Sequence, residues 1–310
     1  MFYYFEFKTM KSTYIKYIFA LVILLLSSSS LFADNEKLKV FVSILPQKYF
    51  AEKLLANNAD IEVLIGAGMS PHTYEPLPQQ MSKLSRADMF LAVGIPFEKV
   101  IIDRLKNLCP NLVIVQTDEN IEKIKMAGHH HHEEPHEHHH HEDEHKHEMG
   151  LDPHFWLDPI RVTIMAENMA KALIVKRPDL ADSIKSNLES IKTEMNQLDN
   201  ELTQKLLPFK GKTMLVFHPA FGYFANKYGL IQKAVEIEGK EPAPRQLAEL
   251  IRNCRAEGIK IIFIQKQFPL ATAETISRSI GGRVVAIDPL AEDYVNNLKA
   301  MAEAVTNSAN

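Results

Sequence analysis

The chain has 310 residues, of which 46% are hydrophobic and 24% charged, and a formal net charge of −4. That is a globular composition, long enough for two domains of ordinary size. With no basic patch interleaved with aromatics, it speaks against a nucleic-acid partner.

The first element in chain order is a targeting segment. Lys8, Lys11 and Lys16 precede the apolar run IFALVILLL (18–26), and SSSSLFA then leads to Ala33. This charged, apolar, small-residue order predicts a secretory signal peptide over residues 1–33, cleaved after Ala33. The apolar run is too short to span a bilayer as a permanent helix. Met10 is an alternative start, since MKSTYIKY is a more ordinary opening. No Cys follows the run, so a lipoprotein anchor is not expected, and the expected location is the periplasm.

Strands and helices then alternate. Residues 39–45 read as a strand, about 47–57 as a helix, 61–66 as a strand, 78–86 as a helix and 89–94 as a strand. FEKVIIDRLKNL (97–108) is a helix and 112–117 a fourth strand. The second half repeats the pattern: strand 212–218, helix 220–228, strand 233–237, helix 245–258, and strands 259–265 and 283–288. Such alternation predicts an α/β fold of two lobes, each a four-stranded, mostly parallel sheet flanked by helices.

Between the halves, 161–176 reads as a helix ending near Pro178. Residues 179–206 follow without Gly or Pro, and Ile184, Leu188, Ile191, Met195, Leu198, Leu202 and Leu206 recur at helical spacing. At 1.5 Å per residue this is a helix of about 40 Å, longer than a small lobe needs. It reads as a rigid connector over 178–207, between an N-terminal lobe (34–177) and a C-terminal lobe (208–310). A coiled-coil dimer helix is the alternative, but the apolar seam is short for one, and the expectation is a monomer. Cys109 and Cys254 fall one in each half and lack the spacing of a Cys-based zinc site. An oxidising compartment would permit a disulfide, but they are expected to be unpaired.

Histidine is distributed unevenly. Of the 14 His, 11 lie in one internal tract: His129, His130, His131, His132, His136, His138, His139, His140, His141, His145 and His147. Residues 129–148 also carry seven acids against Lys146, a net of −6. The tract has no apolar periodicity and is interrupted by Pro135, so it is expected to be disordered. Tags are terminal and pure His, whereas this run is internal and mixed with acids. Its composition suits weak metal binding through many alternative ligand sets.

The other three histidines each follow a predicted strand in a Pro-flanked motif: His72 in SPHTYEP, His154 in DPHFWLDP and His218 in FHPAFGYF. Asp288, in AIDPL, ends the last strand. Ligands of open parallel sheets bind beyond the strand C-termini. If two lobes face each other across a cleft, each lobe supplies two of these four residues. Three imidazoles and one carboxylate make a closed tetrahedral set suited to Zn²⁺. Taken singly, a His after a strand is more often a capping residue, and an Asp before Pro a turn former. The set is persuasive because the folded part has no other His. A zinc hydrolase would need an open ligand position and a nearby base, yet H-E-x-x-H, G-x-S-x-G and a phosphate-cradling Gly loop are all missing, so no enzyme is expected. Glu75 reads as a helix N-terminal charge rather than a base.

These motifs, PHTYEP (71–76), DPHFWLDP (152–159), FHPAFGYF (217–224), IDPL (287–290) and EDYVNNL (292–298), resemble those of the solute-binding proteins of bacterial zinc and manganese ABC importers. The resemblance spans residues 37–305, and an acidic His-rich loop before the second motif is typical of the zinc members. It implies two α/β lobes joined by one long helix with metal between them, His72, His154 and His218 as ligands, and Asp288 as the family's C-terminal carboxylate. Manganese-type relatives tend to carry a carboxylate at the position of His218, so zinc is the expected cargo. Some zinc members place Glu before the first His, where this chain has Pro71, which leaves Asp288 or a water to complete the shell. The implied partners are an ABC-transporter permease and its cytoplasmic ATPase. The alternatives are a manganese or iron importer's binding protein, or a periplasmic zinc buffer or chaperone without a transporter. An adhesin role would need an anchor.

Overall fold

The computed structural model describes residues 37–126, 150–236 and 240–307. The expected signal segment (1–33) and the His-rich tract lie outside the described residues.

Two four-stranded sheets organise the chain. The first contains β1 (Leu38–Ile44), β2 (Ala59–Ile65), β3 (Met89–Ala92) and β4 (Val113–Gln116), in the order β2-β1-β3-β4. The second contains β5 (Thr213–Val216), β6 (Ile231–Ala234), β7 (Ile261–Gln265) and β8 (Arg283–Ile287), in the equivalent order β6-β5-β7-β8. β1–β3, β3–β4, β5–β6, β5–β7 and β7–β8 all pair in parallel. The sequence explains which strands are central. MFLA of β3 and IIFIQ of β7 are buried throughout, as a strand covered on both faces must be, whereas the edge strands β2 and β4 alternate or expose their ends.

The helices run in chain order from α1 (Leu45–Leu55), α2 (Pro78–Leu84) and α3 (Pro96–Leu108) through α4 (Pro159–Lys176) and α5 (Ala181–Leu206) to α6 (Gly222–Lys227), α7 (Pro244–Ala256), α8 (Leu270–Ser279) and α9 (Tyr294–Thr306). Proline stands in the first turn of α1, α2, α3, α4 and α7, where its missing N–H costs nothing and its fixed φ favours the helix.

Helix α5 is the bridge. It buries Ile184, Ile191, Met195, Leu198, Leu202 and Leu206, each worth about 1.5–3 kcal/mol of apolar burial. That stripe lies against α1 and α4 of the first lobe and α9 of the second. Ion pairs extend the docking to both sides: Glu194 to Lys53 at 2.7 Å, Lys192 to Glu167 at 2.8 Å, Asp199 to Lys227 at 3.0 Å and Glu201 to Lys299 at 2.7 Å. The lobes also touch directly. Trp156 donates its indole N–H to the Pro289 carbonyl at 2.8 Å, and the Tyr294 hydroxyl donates to the Trp156 carbonyl at 2.7 Å.

Two features differ from the sequence reading. β6 begins two residues earlier than predicted, because Gly229, at φ 70°, turns the chain out of α6 and Ile231 enters the sheet at once opposite Thr213. Helices α8 and α9 went unread. α8 is short, ten residues, and buries only Ala273, Ile276 and Ser277. α9 carries a legible start in Asp293, whose carboxylate accepts the Asn296 N–H at 3.4 Å. Cys109 and Cys254 are both free, and Cys254 is buried in the core of the second lobe with Leu215, Phe217 and Ile262. Burial pushes its thiol up to about 11.

Candidate metal centre

The three histidines outside the tract converge. Single ring nitrogens of His72, His154 and His218 lie within 4.8 Å of one another. Tetrahedral zinc with Zn–N bonds of 2.0–2.1 Å places its nitrogens about 3.3 Å apart, so small ring movements would close the set on an ion. His72 comes from the loop between β2 and α2. His154 stands just before a single 3-10 turn (Phe155–Leu157) that leads into α4, and Asp158 caps that helix by accepting the Ile160 N–H at 2.8 Å. His218 stands two residues past Val216, the end of β5.

Strand register builds the second-lobe half of the site. Val216 pairs with Ala234 of β6 and with Phe263 of β7. Two residues further along, Glu236 and His218 therefore lie just beyond their strands, in one row with Gln265, the last residue of β7. Gln265 holds the His218 backbone from both sides: its amide N–H donates to the His218 carbonyl at 2.8 Å, and its amide oxygen accepts the His218 N–H at 3.4 Å. Glu236 takes the imidazole, Oε2 lying 2.6 Å from Nδ1. On the first-lobe side, Asp152 Oδ1 accepts both the His154 backbone N–H, at 2.9 Å, and the His154 Nδ1, at 2.7 Å.

These carboxylates fix the tautomers. An acceptor at Nδ1 requires the proton there, which leaves Nε2 of His154 and His218 as bare lone pairs, the form that binds a metal. Among the described residues, His72 has no carboxylate partner. Its Nε2 lies 2.9 Å from the His218 Nε2, so in the metal-free arrangement His72 donates the proton between them. A metal ion would take the place of that proton. His72 is exposed at its outer side while its ring tip is enclosed by the other two imidazoles. Burial of the ring, then repulsion from His218 and His154, lowers its pKa from 6.5 to about 4.

Aromatic rings pack against the imidazoles. Phe268 stacks on His218 with centroids 5.2 Å apart, and Trp156 meets His154 edge-on at 5.2 Å. The cavity lined by the three imidazoles and Phe268 is about 20 Å³, room for one water or ion. Asp288 is not brought into the group. Its Oδ1 accepts the Leu290 N–H at 2.9 Å and its Oδ2 lies 3.7 Å from Lys266, so the carboxylate shapes its own turn while the following Pro289 and Leu290 line the cavity. Glu75 is exposed and also stands outside the group.

Sequence reasoning missed Asp152, Glu236 and Gln265. Asp152 had a signal, an acid two residues before a candidate ligand. Glu236 and Gln265 had none without the strand register.

Residues 40–308 match the family model described as ZnuA, zinc-uptake complex component A periplasmic. The zinc-binding protein AdcA of Streptococcus pyogenes serotype M3 is 32% identical over 260 residues, covering 82% of this chain and 50% of that protein. The chain thus spans about half the length of these streptococcal relatives. A crystal structure of ZnuA superposes with a TM-score of 0.79 at 33% identity, covering 89% of this chain and 100% of that one. A zinc-bound ZnuA lacking residues 138–173 of its own numbering gives 0.78 at 34% identity, with 88% and 98% covered.

Proposed function

Because the chain belongs to the family of periplasmic zinc-uptake component A proteins, we propose that it captures Zn²⁺ outside the cytoplasm and delivers it to an ABC importer. The observation that carries this reading is the set of three imidazoles, two of them locked by carboxylates from opposite lobes, around a cavity the size of an ion. Three nitrogen donors favour zinc over the harder, oxygen-preferring Mn²⁺.

In this reading His72, His154 and His218 bind the ion, which reaches them as cargo. A water completes the shell more readily than Asp288, whose oxygens are engaged elsewhere. The tract at 129–147 collects zinc weakly and raises its effective concentration near the centre, since both are on one chain. Residues 1–33 direct export and are removed. The loaded protein docks on a membrane permease driven by a cytoplasmic ATPase. The helix α5 and the direct contacts of Trp156 and Tyr294 restrict wide lobe closure, so release proceeds by small lobe shifts and local movement of the His72 loop.

The test is a chelator-competition titration of the purified protein with Zn²⁺ and Mn²⁺, with His72→Ala and a 129–147 deletion alongside. One tight zinc site, lost in His72→Ala and kept in the deletion, is expected. Preference for Mn²⁺ would overturn the choice of cargo. A tight site that disappears with 129–147 would overturn the division between centre and tract.

A further inference from the structure

A second-lobe tyrosine reaches across to the first-lobe half of the centre. Tyr223, in the first turn of α6, is fully buried. Its hydroxyl donates to the Asp152 carbonyl at 2.9 Å and accepts the Ile124 N–H at 3.1 Å. Those two residues are themselves joined, the Asp152 N–H donating to the Ile124 carbonyl at 2.8 Å. The ladder continues outward through Lys125 opposite Leu151 and the Met126 N–H on the Gly150 carbonyl at 3.2 Å. Tyr223 thus pins the inner end of this antiparallel ladder at the residue whose carboxylate holds His154.

The neighbouring glycine shows how tight this seam is. A Cβ on Gly222 would lie 2.5 Å from Asp152 Oδ2 and 3.4 Å from Ile124 Cδ1. The backbone of α6 therefore abuts the carboxylate, and only glycine leaves that carboxylate where it can bond His154. On the far side, the Arg161 guanidinium covers the Tyr223 ring at 5.1 Å while pairing with Asp158, the cap of α4. Both polar functions of the hydroxyl are used, and both partners are backbone groups of the other lobe.

We propose that Tyr223, seated by Gly222, is a positioning residue for the metal centre: through Asp152 it sets the orientation of His154, and so couples the packing of the two lobes to zinc affinity. This rests on the reading of the three histidines as the zinc site. Partners that orient a ligating His are commonly worth 10–100-fold in metal affinity. Tyr223 acts one step further out, so the lower end applies.

The test compares Tyr223→Phe, which deletes only the hydroxyl, with Gly222→Ala, which pushes on the carboxylate. Tyr228→Phe is the control, since that buried hydroxyl bonds Asp199 of α5 at 3.2 Å, away from the centre. Zinc affinity by chelator competition, the visible spectrum of the Co²⁺-loaded proteins and the Tm of the metal-free proteins are read for all three and for the parent chain. Tyr223→Phe should weaken zinc roughly tenfold and alter the Co²⁺ bands, Gly222→Ala should do so more strongly, and Tyr228→Phe should lower Tm alone. A folded Tyr223→Phe with parental affinity and Co²⁺ spectrum would overturn the proposal. So would losses of affinity that follow Tm equally in all three variants. A parent chain without a tight site would instead overturn the zinc-capture reading itself.

Discussion

His218 and Glu236 lie eighteen residues apart in the chain, yet their Nδ1 and Oε2 atoms are 2.6 Å apart. The contact is a product of register: β5 and β6 run parallel with Val216 opposite Ala234, so the residues two further on face each other beyond the sheet. The carboxylate holds a proton on Nδ1 and points a lone pair at the ion site. Glu236→Gln keeps an acceptor there but removes the charge that makes the imidazole a stronger donor. Zinc affinity should fall roughly tenfold or more. Competition titration of a folded variant that bound zinc like the parent would show the pair to be mere packing.

Asp288→Asn separates a turn-forming role from a ligand role. The carboxylate accepts the Leu290 N–H and faces Lys266, and an amide can still accept that N–H. The substitution should leave a tight zinc site, weakened several-fold at most, while His72→Ala should lose it. An equally deep loss in both would return Asp288 to the ligand set.

The low pKa of His72 gives a pH signature to the metal-free protein. Its folded value, about 4, is below the unfolded value of 6.5. Between those values the unfolded chain binds more protons, so stability rises with pH there and is lost as pH falls from 6.5 towards 4. The His72 ring signals in NMR should titrate near 4, and thermal unfolding across this window should be less steep in pH for His72→Ala. A ring midpoint near 6.5 would show that the three imidazoles stand apart in solution.

The bridging helix should behave as core. Leu202 is fully buried in the α5 stripe, and Leu202→Ala should cost about 2–5 kcal/mol in urea unfolding. A loss under 1 kcal/mol would mean that α5 docks on its lobes far more loosely than its buried stripe indicates.

The lobes, their helices and the connector were legible because each rests on local periodicity. MFLA and IIFI are continuous apolar runs, and the α5 stripe repeats over 26 residues without a breaker. Helix α8 went unread because its ten residues offer fewer than three turns over which a period can repeat. The histidines stood out by exclusion, His72, His154 and His218 being alone outside the tract. The distribution of histidine and the alternation of strand and helix patterns thus directed attention to a nitrogen-rich metal centre and to two α/β halves. It could not supply what surrounds those nitrogens. Which carboxylate orients which imidazole, why Asp288 turns back on its own loop, and how Tyr223 reaches Asp152 all depend on contacts between segments distant in sequence. Parallel register and the docking of two lobes decide those contacts, and neither leaves a period in the chain.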